Sequence, residues 1–175
     1  MEDFKKNYEI IEELNEVISI IKKKNNNNKY ILKKIYINNK EEMDNVENEA
    51  KILKSLDHKN IVKYLESFKE KRFFYIIMEY CENSDLKKYI EKYKNKNQFI
   101  DQNLICSIVL DICSGIKEIH ENDIIHRDLK PENIFISHDN TFKIGDFGIS
   151  KKLNRTKHAK TKGIGTSYYM VPELL

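Results

Sequence analysis

An α+β fold of two lobes is what this sequence of 175 residues predicts. Three observations carry it. Residues 8–80 hold five short runs rich in β-branched and aromatic side chains, interrupted by a single helical pattern. Residues 101–119 hold the longest helical pattern, and after it come two short strand-like runs bracketing loops dense in ionisable groups. Strands gathered in one half and helices in the other indicate segregated layers, with a first lobe over 1–80, a second over 81–175, and a boundary near Cys81 to Asp85.

Taken in order, YEIIEEL, VISIIK and KYILKKIYI read as strands of an antiparallel sheet, with the asparagine tract Asn25–Asn28 as the hairpin loop between the last two. Asn39 with Glu42 three residues later resembles a capping box; Met43, Val46, Ala50, Leu53 and Leu56 follow at helical spacing, which gives a helix of about four turns. IVKYLESF and RFFYIIMEY return to strand character, the second apolar enough for the middle of a sheet. Ser84 is the expected cap of a short helix in ENSDLKKYIEKY, and KNKNQ is a solvated connection. Asp101 caps the longest helix, on which Leu104, Ile105, Ile108, Val109, Ile112, Ile116 and Ile119 line one face. IIHRDLKPENIFI, a turn at Asp139–Asn140 and TFKIGDFG complete the second lobe.

Composition narrows the function. The 31 basic and 28 acidic residues leave a net charge of +3, far from the one-sided field of a nucleic-acid-binding domain, so no nucleic-acid partner is expected. Cys81, Cys106 and Cys113 have neither CxxC nor Cys/His metal spacing, which suits a reducing compartment. No stretch approaches roughly eighteen consecutive apolar residues, and MEDFKKNYEI has no apolar signal core. The expectation is a soluble intracellular protein, cytoplasmic or nuclear, without membrane association.

His126-Arg127-Asp128-Leu129-Lys130-Pro131-Glu132-Asn133 sets an acid, bases and an amide at tight spacing on a loop, where chemistry tends to sit. Asp146-Phe147-Gly148 follows another short strand, thirteen residues beyond Asn133. With both in this order the chain resembles the eukaryotic protein kinases, the first motif matching their catalytic loop and the second their metal loop. KYILKK resembles the third-strand lysine motif and puts Lys33 at the phosphate-anchoring position; NEAKILKSLDHKNIVKY resembles the following helix and makes Glu49 its ion-pair partner. Lys34 is adjacent, but the alternation of Tyr30, Leu32 and Lys34 against Ile31, Lys33 and Ile35 favours Lys33.

The resemblance implies that Asp128 accepts the substrate hydroxyl proton, that Lys130 balances charge on the transferred phosphoryl group and marks the serine/threonine type, and that Asn133 and Asp146 bind Mg²⁺. It implies ATP as co-substrate, its adenine meeting the backbone from Glu79 to Cys81 beside Met78, and protein Ser/Thr hydroxyls as acceptors. Thr161, in AKTKGIGT, stands where relatives carry an activating phosphothreonine made by an upstream kinase or by autophosphorylation; Arg127 is its available partner, and Thr156 and Ser150 are alternatives. His126 reads as a packed core histidine. IVKYLESF, MEYCENSDL, DFGISKKL and GTSYYMVPE are most similar to the NIMA-related branch of serine/threonine kinases.

Two departures from the family stand out. LNEVIS occupies the place of a GxGxxG loop, whose glycines let backbone N–H groups approach phosphate oxygens that a Cβ would hold off. Ile31 stands where a small alanine usually packs on adenine, so both changes point to weak nucleotide binding. The chain also stops two residues after Val171-Pro172-Glu173, before the helices that complete the family's larger lobe, so an incomplete helical lobe is expected. The alternative to an active kinase is a pseudokinase serving as a binding or scaffold module with weak or no phosphotransfer. Intact Lys33, Glu49, Asp128, Asn133 and Asp146 favour the enzyme.

Overall fold

The computed structural model describes residues 2–26 and 28–152. They fall into two compact units, one of residues 2–54 and 63–80 and the other of residues 55–62 and 81–152.

The first unit runs α1 (Glu2–Asn7), β1 (Tyr8–Glu13), β2 (Ile18–Lys23), β3 (Lys29–Tyr36), α2 (Lys40–Ser55), β4 (Tyr64–Glu70) and β5 (Phe73–Glu79). All five strands form one antiparallel sheet in the order β1-β2-β3-β5-β4. Because side chains alternate and directly paired residues point the same way, the register places Ile18, Ile20, Ile31, Lys33, Ile76 and Met78 on one face. Ile21, Leu32, Tyr75 and Ile77 are buried on the other, under Tyr8 and the rings of Phe4, Tyr30, Phe68 and Phe73. Phe4 comes from α1, which the sequence did not signal, and stacks on Tyr8 at 5.4 Å between centroids. Burial, with a smaller contribution from the Glu66 carboxylate of β4, pushes the Tyr8 phenol up.

Helix α2 begins with the expected cap. Asn39 Oδ1 accepts from the Glu42 N–H at 2.9 Å, while the Glu42 carboxylate returns to the Asn38 N–H at 2.8 Å, one residue earlier than a strict capping box. Val46, Glu49, Ala50, Ile52 and Leu53 form its buried side.

The second unit contains α3 (Leu86–Asn95), α4 (Gln102–Glu121), β6 (Ile124–Ile125), a 3₁₀ turn (Pro131–Asn133), β7 (Ile134–Ile136), β8 (Phe142–Ile144) and β9 (Lys151–Lys152). β7 and β8 form a hairpin, and β6 pairs with β9, a two-residue strand with no sequence signal of its own. Asp101 caps α4 as expected, accepting from Asn103 N–H at 2.9 Å. Gly115 lets the middle of α4 approach β8 and Asn60: a Cβ there would lie 2.8 Å from the Asn60 carbonyl and 2.9 Å from Ile144 Cδ1.

Three expectations change. Ile61 and Val62 do not open β4; Val62 N–H donates to Ile144 O at 2.9 Å and Ile61 bridges Ile144, so their backbone groups are spent on β8. The cap of α3 is Asp85, whose Oδ1 accepts from Lys88 N–H at 2.9 Å, and not Ser84. Ser84 is instead held at φ 74° while its carbonyl accepts from Ile136 N–H, so pairing with β7 sets the register of the helix start. The face of α4 read as uniformly core is only partly covered by the described residues: Ile108 and Ile119 are buried, whereas Ile105 and Val109 are about half exposed. Among the described residues no helix is long and apolar enough to cross a membrane.

Candidate active site

In the first unit the register selects between the two lysines. Lys33 points to α2 and its Nζ lies 2.7 Å from Glu49 Oε1, with Glu49 almost wholly buried. Lys34 points to the opposite face and sits 4.4 Å above the Phe73 ring. The Lys33 ammonium is paired with the Glu49 carboxylate and is still about a fifth exposed.

The β1–β2 tip beside it is a tight turn. Leu14 and Asn15 donate their N–H groups to Ile18 O at 2.9 and 3.2 Å, and Asn15 Oδ1 accepts from the Val17 and Ile18 N–H groups at 2.9 and 2.8 Å. This Asx-type closure explains how LNEVIS turns without glycine. At the end of β5, Glu79 donates its N–H to Lys63 O at 2.9 Å and accepts from Lys63 N–H through Oε2; Cys81, in the second unit, is buried.

In the second unit the loop from His126 to Asn133 converges on one carboxylate. Asp128 Oδ2 receives Lys130 Nζ at 2.7 Å and Asn133 Nδ2 at 3.0 Å, and the same amide also donates to Asp128 O at 2.9 Å. Three of the motif's polar residues thus fix one another's rotamers. With the Asn133 amide nitrogen engaged by Asp128, its carbonyl oxygen and the Asp146 carboxylate are the oxygen donors of a type a hard cation such as Mg²⁺ would take. Gly145 N–H donates to Asn133 O at 2.9 Å, tying this loop to the Asp146 segment. Gly145 itself admits no side chain: a Cβ would come within 2.7 Å of the Phe135 ring and 3.0 Å of Val62.

His126 is the hub of that tie, and its packed-core reading holds in the geometry. It is buried, with Nδ1 accepting from Asp128 N–H at 3.3 Å and Nε2 donating to Gly145 O at 3.0 Å. Burial lowers its pKa, against smaller opposing effects of Gly145, Asp146 and Asp128. Phe147, fully buried, meets its ring edge-on at 4.8 Å. Arg127 and Asp146 both take left-handed backbone, at φ 68° and 57°, the kind of strain that gathers at functional loops. Arg127 Nε donates to Ile149 O, and Ser150 is buried with Oγ donating to His126 O at 3.0 Å, so Ser150 is a structural hydroxyl and not an accessible phosphorylation site. Thr161 and Thr156 lie outside the described residues.

Sequence reasoning missed Asn15 and the direct Lys130–Asp128 contact. An asparagine three residues before a strand is a recognisable Asx-turn signal; the ion pair depends on side-chain conformations that spacing alone does not give.

Comparison with known proteins bears on the same segments. The protein kinase domain family model matches residues 14–175. The chain is 37% identical over 157 residues to mouse serine/threonine-protein kinase Nek1, covering 89% of this chain and 13% of that protein. It is 38% identical over 177 residues to the probable serine/threonine-protein kinase nek2 of Dictyostelium discoideum, covering 95% of this chain and 42% of that protein. Arabidopsis thaliana MAP3K epsilon protein kinase 2 is 35% identical over 146 residues, or 82% of this chain and 10% of its own length. The chain therefore spans less than half the length of these relatives. With the family match covering both the Lys33–Glu49 pair and the Asp128–Lys130–Asn133 cluster, the chain belongs to the protein kinase family, with NIMA-related serine/threonine kinases among its relatives.

Proposed function

We propose that this chain carries the catalytic machinery of a serine/threonine protein kinase, which moves the γ-phosphoryl group of ATP to a protein Ser or Thr hydroxyl. The observation that carries the reading is the Asp128 carboxylate, oriented by Lys130 at 2.7 Å and by Asn133 at 3.0 Å. That carboxylate accepts the hydroxyl proton as the acceptor attacks. Lys130, already 2.7 Å from Asp128, shares its charge with the phosphoryl oxygens as they pass, which accounts for a lysine two residues after the base. Lys33, aimed by Glu49, binds the α- and β-phosphates, and the backbone at Glu79 and Cys81 receives adenine. Asn133 and Asp146 would hold Mg²⁺, whose chemistry when bound is to neutralise charge on the β- and γ-phosphates. Thr161 is the residue proposed to receive an activating phosphate.

A pseudokinase reading has one observation in its favour, the β1–β2 tip closed on itself at Asn15. The two part on a single experiment. Calorimetric titration with Mg²⁺-ATP and transfer of label from γ-³²P-ATP to a generic Ser/Thr acceptor are measured on the same protein. Binding with transfer supports the kinase; binding without transfer supports the scaffold; the absence of both removes the kinase.

A further inference from the structure

We propose that Asn15 sets how tightly this chain holds nucleotide phosphates, by occupying backbone donors that would otherwise face an anion beside Lys33. The inference rests on the kinase reading. Two successive N–H groups, of Val17 and Ile18, converge on Asn15 Oδ1 at 2.9 and 2.8 Å. Converging backbone donors of this kind form an anion-binding concavity, and here its occupant is the chain's own amide oxygen. The location matters because Ile18 is the cross-strand partner of Lys33, and Lys34 N–H donates to Val17 O at 2.7 Å. Any anion drawn to the Lys33 ammonium therefore arrives next to donors already filled.

Asn15 competes well because it is tethered: it fills the donors without the translational cost a free phosphate bears, and it is neutral, so it adds no attraction of its own for the cation. Glu16, exposed at the tip, adds a negative charge where a phosphate would approach. The turn does not depend on Asn15 alone. Leu14 and Asn15 N–H groups bond Ile18 O through the backbone, and those bonds are indifferent to the side chain at 15. Removing the amide thus opens two donors in a turn whose backbone bonds persist.

The test is calorimetric titration of the wild type, Asn15→Gly and Asn15→Asp with Mg²⁺-ATP and, separately, with adenosine. Adenosine has no phosphate, so its affinity reports the base site and the fold. Asn15→Gly is expected to raise the Mg²⁺-ATP to adenosine affinity ratio about tenfold, a part of what two hydrogen bonds to a charged group can supply. Asn15→Asp keeps the acceptor and adds a charge, so the ratio falls several-fold. Equal ratios in all three overturn the proposal while leaving the kinase reading in place. If Asn15→Gly does not fold, an unchanged ratio in Asn15→Asp overturns it alone. A wild type that binds neither ligand defeats the kinase reading and this inference with it.

Discussion

Gly115→Ala sets a helix-propensity gain against a steric cost, and the structure says which is larger. Alanine in place of glycine inside a helix gains about 0.8–1.0 kcal/mol. The new Cβ, however, would stand 2.8 Å from the Asn60 carbonyl oxygen and 2.9 Å from Ile144 Cδ1. Neither neighbour yields readily. The Asn60 carbonyl accepts the Ile144 N–H at 2.9 Å, the Asn60 side chain donates to Phe142 O at 3.0 Å, and both residues are fully buried. Pushing α4 away from β8 would also stretch the Phe142 N–H bond to Asp111 Oδ2, now 3.0 Å. Overpacking of this kind costs about 1–3 kcal/mol, with the upper part of that range expected against backbone, so the net change is a destabilisation of about 1–2 kcal/mol. Urea unfolding followed by circular dichroism reads it as a lower midpoint at unchanged slope. A midpoint equal to or above that of the wild type would refute the close approach of α4 to Asn60.

Two more outcomes follow from local geometry. Ser84→Gly relieves a non-glycine residue at φ 74°, and a gain of about 0.5–1 kcal/mol is expected in the same urea assay; a loss would show that the serine side chain stabilises the turn before α3. His126 is buried with its pKa lowered, so the folded state binds fewer protons than the unfolded chain. Its contribution is complete above the unfolded value near 6.5 and is lost as pH falls from there through the folded pKa, at no more than about 1.4 kcal/mol per pH unit. Stability at pH 7.5 and 5.5, compared with His126→Phe, isolates that slope; identical slopes in the two proteins would contradict the neutral buried imidazole.

Much of this molecule was legible because periodicity and motif spacing reported the same thing. Alternation in KYILKK was enough to choose Lys33 over Lys34, since a pleated strand sends neighbours to opposite faces and only one face carries α2. What failed was decided by partners distant in sequence. Ser84 and Asp85 are equally good caps by residue type, and only the bond between Ser84 O and Ile136 N–H, across 52 positions, assigns the role to Asp85. Ile61 and Val62 have every strand preference, yet their bonds go to Ile144 and not into the sheet. The apolar stripe of α4 gave the helix but not its cover, because periodicity identifies a face without naming what lies on it. In the candidate site the residue types and spacing singled out Asp128, Lys130, Asn133 and Asp146 as candidates; that Lys130 and Asn133 both reach Asp128 Oδ2 is a fact of side-chain conformation.

The measurement closest to the central claim is γ-phosphoryl transfer from Mg²⁺-ATP to a Ser/Thr acceptor by the wild type and by Asp128→Asn, with Mg²⁺-ATP affinity measured on each and on Asp146→Asn. In the proposed mechanism Asp128 acts on the acceptor hydroxyl and Asp146 on the metal. Asp128→Asn should therefore remove turnover by at least about a hundredfold while binding Mg²⁺-ATP nearly as the wild type does, and Asp146→Asn should lose the Mg²⁺-dependent part of binding as well. Transfer by Asp128→Asn at the wild-type rate would contradict the assignment of that carboxylate, and with it the kinase mechanism built on it.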